Sequence, residues 1–466
     1  MTALHDLSAA ELGAAYRRGD LSPVEVAHSV IAHVQRCEPV LHATWAFDPE
    51  TALAMASASQ ARFAKGAPLS PLDGVPVTIK ENIATKGVPL PLGTAATVLV
   101  PAPEDAPPAA RLREAGAVFI AKTTMPDYGM LSSGLSSFHE LARNPWDTTK
   151  NPGGSSAGAG AAAAAGYGPL HIGTDIGGSI RLPAAWCGIV GLKPSLGRVP
   201  IKPPYAGRAA GPMTRSVTDA ALMMAELSRP DWRDTMSLPY QRFDWTDLER
   251  DVKGLRLGLL MDAGWGLPAE PETAAAVQAA ARRFEAAGAI VEPMRPFTTR
   301  EMADGIDLFW RVRSWLDISA LPEERRAKVL PFIRAWVARG EHVTTAQLFH
   351  GYTQMAVALR DASVAACQPF DFVLSPVSPV PAFPAEWAMP TNDPDRAMEH
   401  IAFTLPANMG EQPAISVDCG HTAAGLPIGL QIMGRRHDDL GVLRLARAWE
   451  RLRDPPRPWP RVGARA

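Results

Sequence analysis

Two serines in glycine-rich segments are the residues of this sequence best suited to nucleophilic chemistry. Ser155 lies in GGSSAG at residues 153–158, and Ser179 lies in DIGGSIR at residues 175–181. Glycine allows backbone conformations closed to other residues and lets a substrate come close to main-chain N–H groups. The two segments therefore predict a serine nucleophile beside backbone donors that could stabilise a negatively charged oxygen.

A serine hydroxyl is a weak nucleophile at neutral pH and needs a base to take its proton. The one histidine near either serine, His171, falls in a predicted strand that gives it no reason to reach Ser179. Lys80 ends a predicted strand over residues 75–80 and could be the base, with Ser155 as a proton relay, as in other serine–lysine sites. This role requires burial, because only a neutral amine accepts a proton and the pKa of lysine in water is about 10.4. The alternative is an ordinary solvated lysine at a strand end.

The segment around Ser179 is a candidate oxyanion hole. Consecutive N–H groups there could converge on one oxygen atom, and the alternative is a purely structural glycine turn. Besides Ser179 itself, the expected donors are Ile176, Gly177 and Gly178. Asp175 and Arg181 flank the turn with opposite charges and are expected to brace it.

Alternating helix and strand patterns surround these segments. A strand predicted at residues 170–174 leads into the Ser179 turn, and a helix of small residues predicted at 159–165 follows Ser155. That helix argues against a flexible Gly/Ser linker at 153–158. The other predicted elements are strands at 117–122, 255–260 and 289–293 and helices at 107–115, 270–287, 304–318, 323–338, 344–366 and 438–451. The alternation is typical of an α/β fold.

A pocket is expected where the chain leaves the predicted strand at 117–122. Residues 123–144 have few regular signals, and loops that follow sheet strands often form binding sites. The residues expected to line a substrate pocket are Tyr128, Gly129, Met130, Leu131 and Thr174. Aromatic residues at helical spacing are expected mainly in the core, although some could wall the pocket: Phe309, Trp310, Trp315, Phe332 and Trp336.

Composition excludes several classes of protein. The chain has 466 residues, 47% of them hydrophobic and 20% charged, with a formal net charge of -2, so no basic nucleic-acid footprint is evident. Length alone would suggest two or three domains. The four cysteines are scattered, which argues against a zinc site or a disulfide framework, and no apolar run is long enough to span a membrane. We expect a soluble, unexported, cytoplasmic protein that needs no metal or other cofactor.

Six further segments, together with the two serine segments, carry a resemblance that covers nearly the whole chain. They are GVPVTIKEN at 74–82, AKTTMP at 121–126, RNPWD at 143–147, GLKPS at 191–195, GPMTRS at 211–216 and GLPIGLQIMG at 425–434. In this order they resemble the amidase signature family of serine hydrolases. An ordered set of this length is far more specific than a single glycine-rich loop.

The resemblance implies a Ser–cisSer–Lys triad. Ser179 would be the nucleophile, Lys80 the base, and Ser155 the relay, with a cis peptide bond from Ser155 to Ser156. It also implies that Ser156 supports the site, and that the backbone of the Ser179 turn forms the oxyanion hole. Two positions depart from the family pattern without removing a triad member: Ala157 replaces a common glycine, and Glu81 replaces a usual aspartate.

The fold implied by the resemblance is a single large α/β domain with a central mixed, twisted sheet of about eleven strands covered by helices. This replaces the expectation of several domains based on length. Within residues 1–466 we distinguish N-terminal helices at 1–70, a catalytic signature core at 71–220, the remainder of the α/β domain at 221–455 and a tail at 456–466. Residues 371–376 and 425–434 resemble later strands of the family.

The function implied is hydrolysis of a linear amide with an apolar or aryl substituent through a seryl acyl-enzyme. Aryl-acylamide or carbamate (urethane) hydrolysis would use the same chemistry. A different alternative is the amidase-like subunit of a tRNA-dependent amidotransferase, which releases ammonia within a complex. The expected partner is a small amide, with no nucleic acid and no membrane, and a homodimer is compatible with this function.

Overall fold

One mixed β-sheet runs through the protein. The computed structural model describes residues 3–462, and within them the sheet has eleven strands in the order β1-β3-β2-β4-β6-β5-β10-β11-β9-β7-β8. The strands are β1 (Thr44–Trp45), β2 (Pro76–Lys80), β3 (Val118–Thr123), β4 (Leu170–Asp175), β5 (Val190–Lys193), β6 (Ala209–Thr214), β7 (Arg256–Leu259), β8 (Ile290–Pro293), β9 (Phe372–Pro376), β10 (Ala414–His421) and β11 (Pro427–Gly434). The expected α/β fold with a central sheet of about eleven strands is confirmed.

Helices cover the sheet. In the described part of the chain they are α1 (Ala9–Arg18), α2 (Pro23–Leu41), α3 (Pro49–Ala64), α4 (Pro107–Glu114), α5 (Ala157–Ala165), α6 (Arg181–Cys187), α7 (Val217–Leu227), α8 (Pro271–Ala286), α9 (Arg300–Ser319), α10 (Glu323–Arg326), α11 (Pro331–Ala338), α12 (Thr345–Thr353), α13 (Arg360–Cys367), α14 (Leu405–Met409) and α15 (Asp439–Leu452). A π-helical segment, Gln354–Leu359, joins α12 to α13. None of the helices between residues 3 and 462 is both long enough and apolar enough to cross a membrane.

Three neighbouring strands bring the predicted catalytic segments together. Strands β2 and β4 pair in parallel, with Ile79 opposite Ile172, so their carboxyl ends meet at one edge of the sheet. Lys80 ends β2 and Asp175 ends β4. Strand β6 pairs antiparallel with β4 and begins at Ala209, opposite Asp175. The end of β2, the end of β4 and the start of β6 therefore lie side by side.

The small-residue helix α5 packs against the N-terminal half of the sheet without leaving space for side chains. All nine of its residues are buried. A Cβ atom added at Gly158 would overlap the carbonyl oxygen of Ala43 and lie 2.5 Å from the amide nitrogen of Thr124. Because α5 begins directly after Ser156, this packing fixes the position of the first serine segment.

Most of the predicted elements are confirmed, with ends shifted by one to four residues. Two helical predictions are only partly right: residues 323–338 form two helices, and residues 344–366 are interrupted by the π-helical segment. Strands β1, β5, β6 and β10 were not predicted from the sequence. Strand β1 has only two residues, too few for a pattern. Each of the other three contains glycine or proline, or alternates weakly, and each is completed by its pairing with neighbouring strands. Of the tail at 456–466, residues 463–466 lie outside the described residues.

Candidate active site

The amine of Lys80 is buried among hydroxyl groups. Its Nζ lies 2.8 Å from Ser155 Oγ, 3.0 Å from Ser156 Oγ and 3.1 Å from Thr174 Oγ1. Lys80 is 0% exposed, so the alternative of a solvated lysine at a strand end is wrong. The strand pairing explains the contact, because Thr174 lies near the end of β4, beside the end of β2.

Burial favours the neutral form of this amine. It lowers the pKa of Lys80 well below its usual value, because the charged form loses its hydration, and the positive charge of Arg208 lowers it further. Asp175 and Glu81 oppose the shift with their negative charges, but more weakly. A neutral amine both donates and accepts hydrogen bonds, so Lys80 can take a proton from the Ser155 hydroxyl.

The first serine segment contains a cis peptide bond, but not where the sequence analysis put it. The cis bond joins Gly154 to Ser155, whereas the expected position was between Ser155 and Ser156. The backbone at Gly154 passes so close to Ser133 that a Cβ atom there would overlap the Ser133 amide. The close approach thus falls on the residue before Ser155, and the bond to Ser156 is an ordinary trans peptide.

Backbone contacts join the two serine segments. The Ser156 N–H donates to the carbonyl oxygen of Ser179 at 3.2 Å. The Ser156 hydroxyl also donates to the carbonyl oxygen of Thr174, at 3.2 Å. Ser156 therefore ties the loop of the first serine to the end of β4.

The turn before Ser179 presents three backbone donors, but not the expected set. Gly178 donates its N–H to Asp175 Oδ1 at 2.8 Å and is therefore occupied, which corrects its expected place among the oxyanion donors. Within residues 3–462, the N–H groups of Ile176, Gly177 and Ser179 have no protein acceptor. A carboxylate at the start of a tight turn accepts the N–H groups that point back toward it. The N–H groups that point away from the carboxylate remain free.

Asp175 and Arg181 brace this turn, as expected from their charges. Arg181 donates to Asp175 through Nη2 at 2.9 Å and through Nε at 3.0 Å, and Asn408 Nδ2 donates to the same carboxylate at 2.9 Å. Burial alone would raise the pKa of Asp175, but the charge of Arg181 and these hydrogen bonds outweigh it and hold the pKa far below its usual range. The carboxylate is therefore charged at neutral pH.

Both serines open onto one cavity of about 700 Å³. The pocket residues expected from the sequence all line it: Tyr128, Gly129, Met130, Leu131 and Thr174. Ile176, Gly177, Ser155 and Ser179 also line this cavity. Of the five helical aromatic residues, Trp310 and Trp336 border the cavity.

Other lining residues were missed by the sequence analysis. They come from segments far apart in the chain, among them Asn82, Tyr205, Arg208, Arg313, Met389 and His400. Asn82 follows Lys80 within the GVPVTIKEN segment, which is the one local signal that could have identified it.

In residues 3–462, no group of three or more His, Cys, Asp or Glu side chains is placed to hold a metal ion.

Comparison with known proteins supports one family. A family model described as Amidase matches residues 25–443. The chain belongs to the amidase signature family. One subunit of the glutamyl-tRNA(Gln) amidotransferase from Myxococcus xanthus (strain DK1622) is 37% identical over 485 residues, covering 97% of this chain and 98% of that protein. The chain is thus an amidase-family hydrolase acting on C–N bonds.

Solved structures of amidase signature enzymes have the same fold. A bacterial aryl acylamidase of this family superposes with a TM-score of 0.88 and 28% identity, covering 97% of each chain. The peptide amidase from Stenotrophomonas maltophilia superposes with a TM-score of 0.82 and 26% identity, covering 97% of this chain and 98% of that one. These relatives act on different amides, so membership of the family leaves the substrate open.

Proposed function

We propose that this protein hydrolyses a linear carboxylic amide through a seryl acyl-enzyme, releasing an acid and ammonia or an amine. The observation that supports this most strongly is the Lys80 amine, buried 2.8 Å from the Ser155 hydroxyl beside a cavity that Ser179 also lines. A buried amine within hydrogen-bond distance of a cavity-lining hydroxyl can act as its base, because burial favours the neutral form of the amine.

In the proposed first step, Ser179 Oγ attacks the amide carbonyl carbon. The Ser179 proton passes to Ser155 Oγ, and the Ser155 proton passes to Lys80 Nζ. The carbonyl oxygen becomes an oxyanion, which accepts hydrogen bonds from the free N–H groups of Ile176, Gly177 and Ser179. Removal of one such donor typically costs 10²- to 10³-fold in rate, so three together are a substantial contribution.

The second half of the reaction returns the proton. As the C–N bond breaks, Lys80 gives its proton back through Ser155 to the leaving nitrogen. The acyl group stays on Ser179 until water attacks it, with the same relay accepting the water proton. The products are the carboxylic acid and the free amine or ammonia, and the scheme consumes no cofactor.

The cavity walls support an apolar or aryl substituent on the substrate. Met130, Leu131 and Trp310 face the cavity together with Trp336 and Met389. Aromatic and thioether side chains pack well against flat or irregular apolar groups. The similarity to the aryl acylamidase favours an anilide within this class.

A hydrolysis screen tests the proposal. The wild-type protein and the Ser179→Ala variant are assayed against aliphatic amides, anilides and carbamates for release of ammonia or amine. We expect turnover of at least one amide by the wild type and its loss in the variant. A fluorophosphonate probe should label Ser179, and labelling of another residue, or activity retained in Ser179→Ala, would contradict the scheme.

A second candidate is favoured by the 37% identity to an amidotransferase subunit. In that case the same site would release ammonia from glutamine within a complex of several subunits. Glutaminase activity together with co-purification of partner subunits would favour it. Full amidase activity of the isolated chain, as a monomer or a homodimer, would favour the first proposal. In that case the protein would act alone in the cytoplasm.

A further inference from the structure

The cavity has a positively charged side formed by Arg208 and Arg313. Arg208 directly precedes β6, whose first residue Ala209 pairs with Asp175. The backbone of Arg208 therefore lies beside the start of the turn that leads to Ser179. Arg313 comes from the middle of α9, and both arginines line the cavity that holds the two serines.

Within residues 3–462, neither arginine forms an ion pair with a carboxylate. In this part of the chain no carboxylate offsets the effect of burial and of Arg313 on the Arg208 guanidinium. By contrast, two other charged cavity residues are paired: Lys202 with Glu104 at 2.6 Å, and Asp175 with Arg181. Asp317 also lines the cavity, but it is exposed and forms no ion pair with either arginine in the described chain.

A tyrosine next to these arginines also lacks a partner. The Tyr205 hydroxyl oxygen is buried and, within the described residues, makes no hydrogen bond. The Arg313 guanidinium lies over the Tyr205 ring, 4.5 Å from its centroid, which holds the ring at the cavity wall. Arg208, Arg313 and Tyr205 thus bring two cations and a hydroxyl donor to one side of the cavity.

A partly buried cation without a counter-charge is costly, and burial together with the neighbouring charge of Arg313 lowers the pKa of Arg208. A ligand carboxylate would remove this cost, because its two oxygens match the planar fork of a guanidinium. We propose that the amide substrate carries a carboxylate that binds Arg208, with the Tyr205 hydroxyl as a second donor. This inference rests on the proposed function only in placing the amide in this cavity.

The test compares matched neutral and anionic substrates. Glutaryl-4-nitroanilide and butyryl-4-nitroanilide place the charge on the acyl side, and N-butyryl-3-aminobenzoate and butyranilide place it on the amine side. We expect the wild type to prefer the anionic member of at least one pair by roughly 10- to 100-fold in kcat/KM, the range of a charge-assisted hydrogen bond. Equal kcat/KM within both pairs would overturn the proposal.

Variants of Arg208 locate the preference. Arg208→Met should make kcat/KM equal for the anionic and the neutral member of each pair. Arg208→Lys should retain part of the preference for the anionic member. The ratio is the readout because Arg208 also lowers the pKa of Lys80. That effect changes kcat/KM for both members of a pair alike and cancels in the ratio. Arg282→Met is the control, since Arg282 lies exposed on α8 away from the cavity, and it should leave the ratio unchanged. A ratio that survives in Arg208→Met would assign the selectivity elsewhere and overturn the proposal.

Binding measurements separate this inference from the proposed reaction. In the Ser179→Ala variant, calorimetry measures the affinity for the same four compounds without turnover. Tighter binding of an anionic compound, lost on adding Arg208→Met, supports the carboxylate site even if the wild type hydrolyses none of them. Hydrolysis with no preference for the anionic compounds in either assay supports the reaction and overturns the carboxylate site.

Discussion

The Asp175 carboxylate and the Arg181 guanidinium form an ion pair, with Oδ1 and Nη2 2.9 Å apart and neither side chain exposed to solvent. The same carboxylate accepts the N–H groups of Gly178 and Ile180. The ion pair therefore determines which backbone donors of the turn point inward and which remain open to the cavity.

Asp175→Asn should destabilise the protein. The substitution leaves Arg181 buried without a counter-charge, which typically costs about 3–5 kcal/mol. Denaturant unfolding at pH 7 should show a fall in the free energy of unfolding of this size. Because the pKa of Asp175 is lower in the folded than in the unfolded state, its contribution is present above about pH 4 and is lost as the pH falls through the folded pKa. The difference from wild type should therefore shrink in acid, and a difference independent of pH would contradict the ion-pair argument.

Lys80→Met should lower kcat by roughly 10²- to 10⁴-fold, the usual contribution of a general base. Methionine has a similar length and needs no hydration, so the melting temperature should change little. Lys122→Met is the matched comparison, because Lys122 is also buried and burial lowers its pKa to about 7, but its amine binds Ile83 and Thr85 outside the cavity. That variant removes a donor from the Ile83 carbonyl oxygen, whereas the partners of Lys80 are hydroxyls that can donate elsewhere, so it should lose stability and keep its kcat. A large loss of stability with normal kcat in Lys80→Met would make Lys80 a structural residue.

The pH dependence of kcat/KM should report the protonation of Lys80. Because the base must be neutral, activity should rise with pH through the pKa of Lys80, which burial places well below the usual value of about 10.4. Arg208 lowers this pKa and Glu81 raises it. Arg208→Met should therefore move the rising limb to higher pH, and Glu81→Gln should move it to lower pH. Shifts in the same direction would show that another group titrates.

The sequence predicted the parts of the site that depend on local patterns. The turn at 175–181, the strand ending at Lys80 and the pocket segment at 128–131 are each encoded by a few adjacent residues, and the structure brings them together. The position of the cis bond was wrong by one residue, and Gly178 was assigned to the wrong set of donors. Both depend on contacts with distant backbone and side chains, which no local pattern specifies.

The arginines of the cavity show the same limit. Arg208 and Arg313 are about a hundred residues apart in sequence, and nothing near either one distinguishes it from a solvated surface arginine. Their significance arises because the pairing of β6 with β4 and the position of α9 bring them to one wall. Tertiary structure creates the charge imbalance, so the sequence alone predicted only an apolar or aryl substituent on the substrate.

Gly158→Ala tests whether close packing of α5 positions the first serine segment. The new methyl group would overlap the backbone of Ala43 and Thr124, neither of which is a flexible side chain, so α5 must move. Overpacking of this kind costs about 1–3 kcal/mol, and movement of the helix would also displace Ser155 and Ser156 from the Lys80 amine. We expect a lower free energy of unfolding in denaturant together with a lower kcat.

Gly160→Ala is the matched control on the same helix. Its added Cβ would lie 3.0 Å from the Pro183 Cβ and no closer than that to any backbone atom outside α5, so a small adjustment suffices. Alanine also gains about 1 kcal/mol over glycine within a helix, which offsets the tight contact. This variant should remain within about 1 kcal/mol of the wild type and keep its activity. Equal losses in the two variants would contradict the argument that contact with residues 43 and 124 positions the serines.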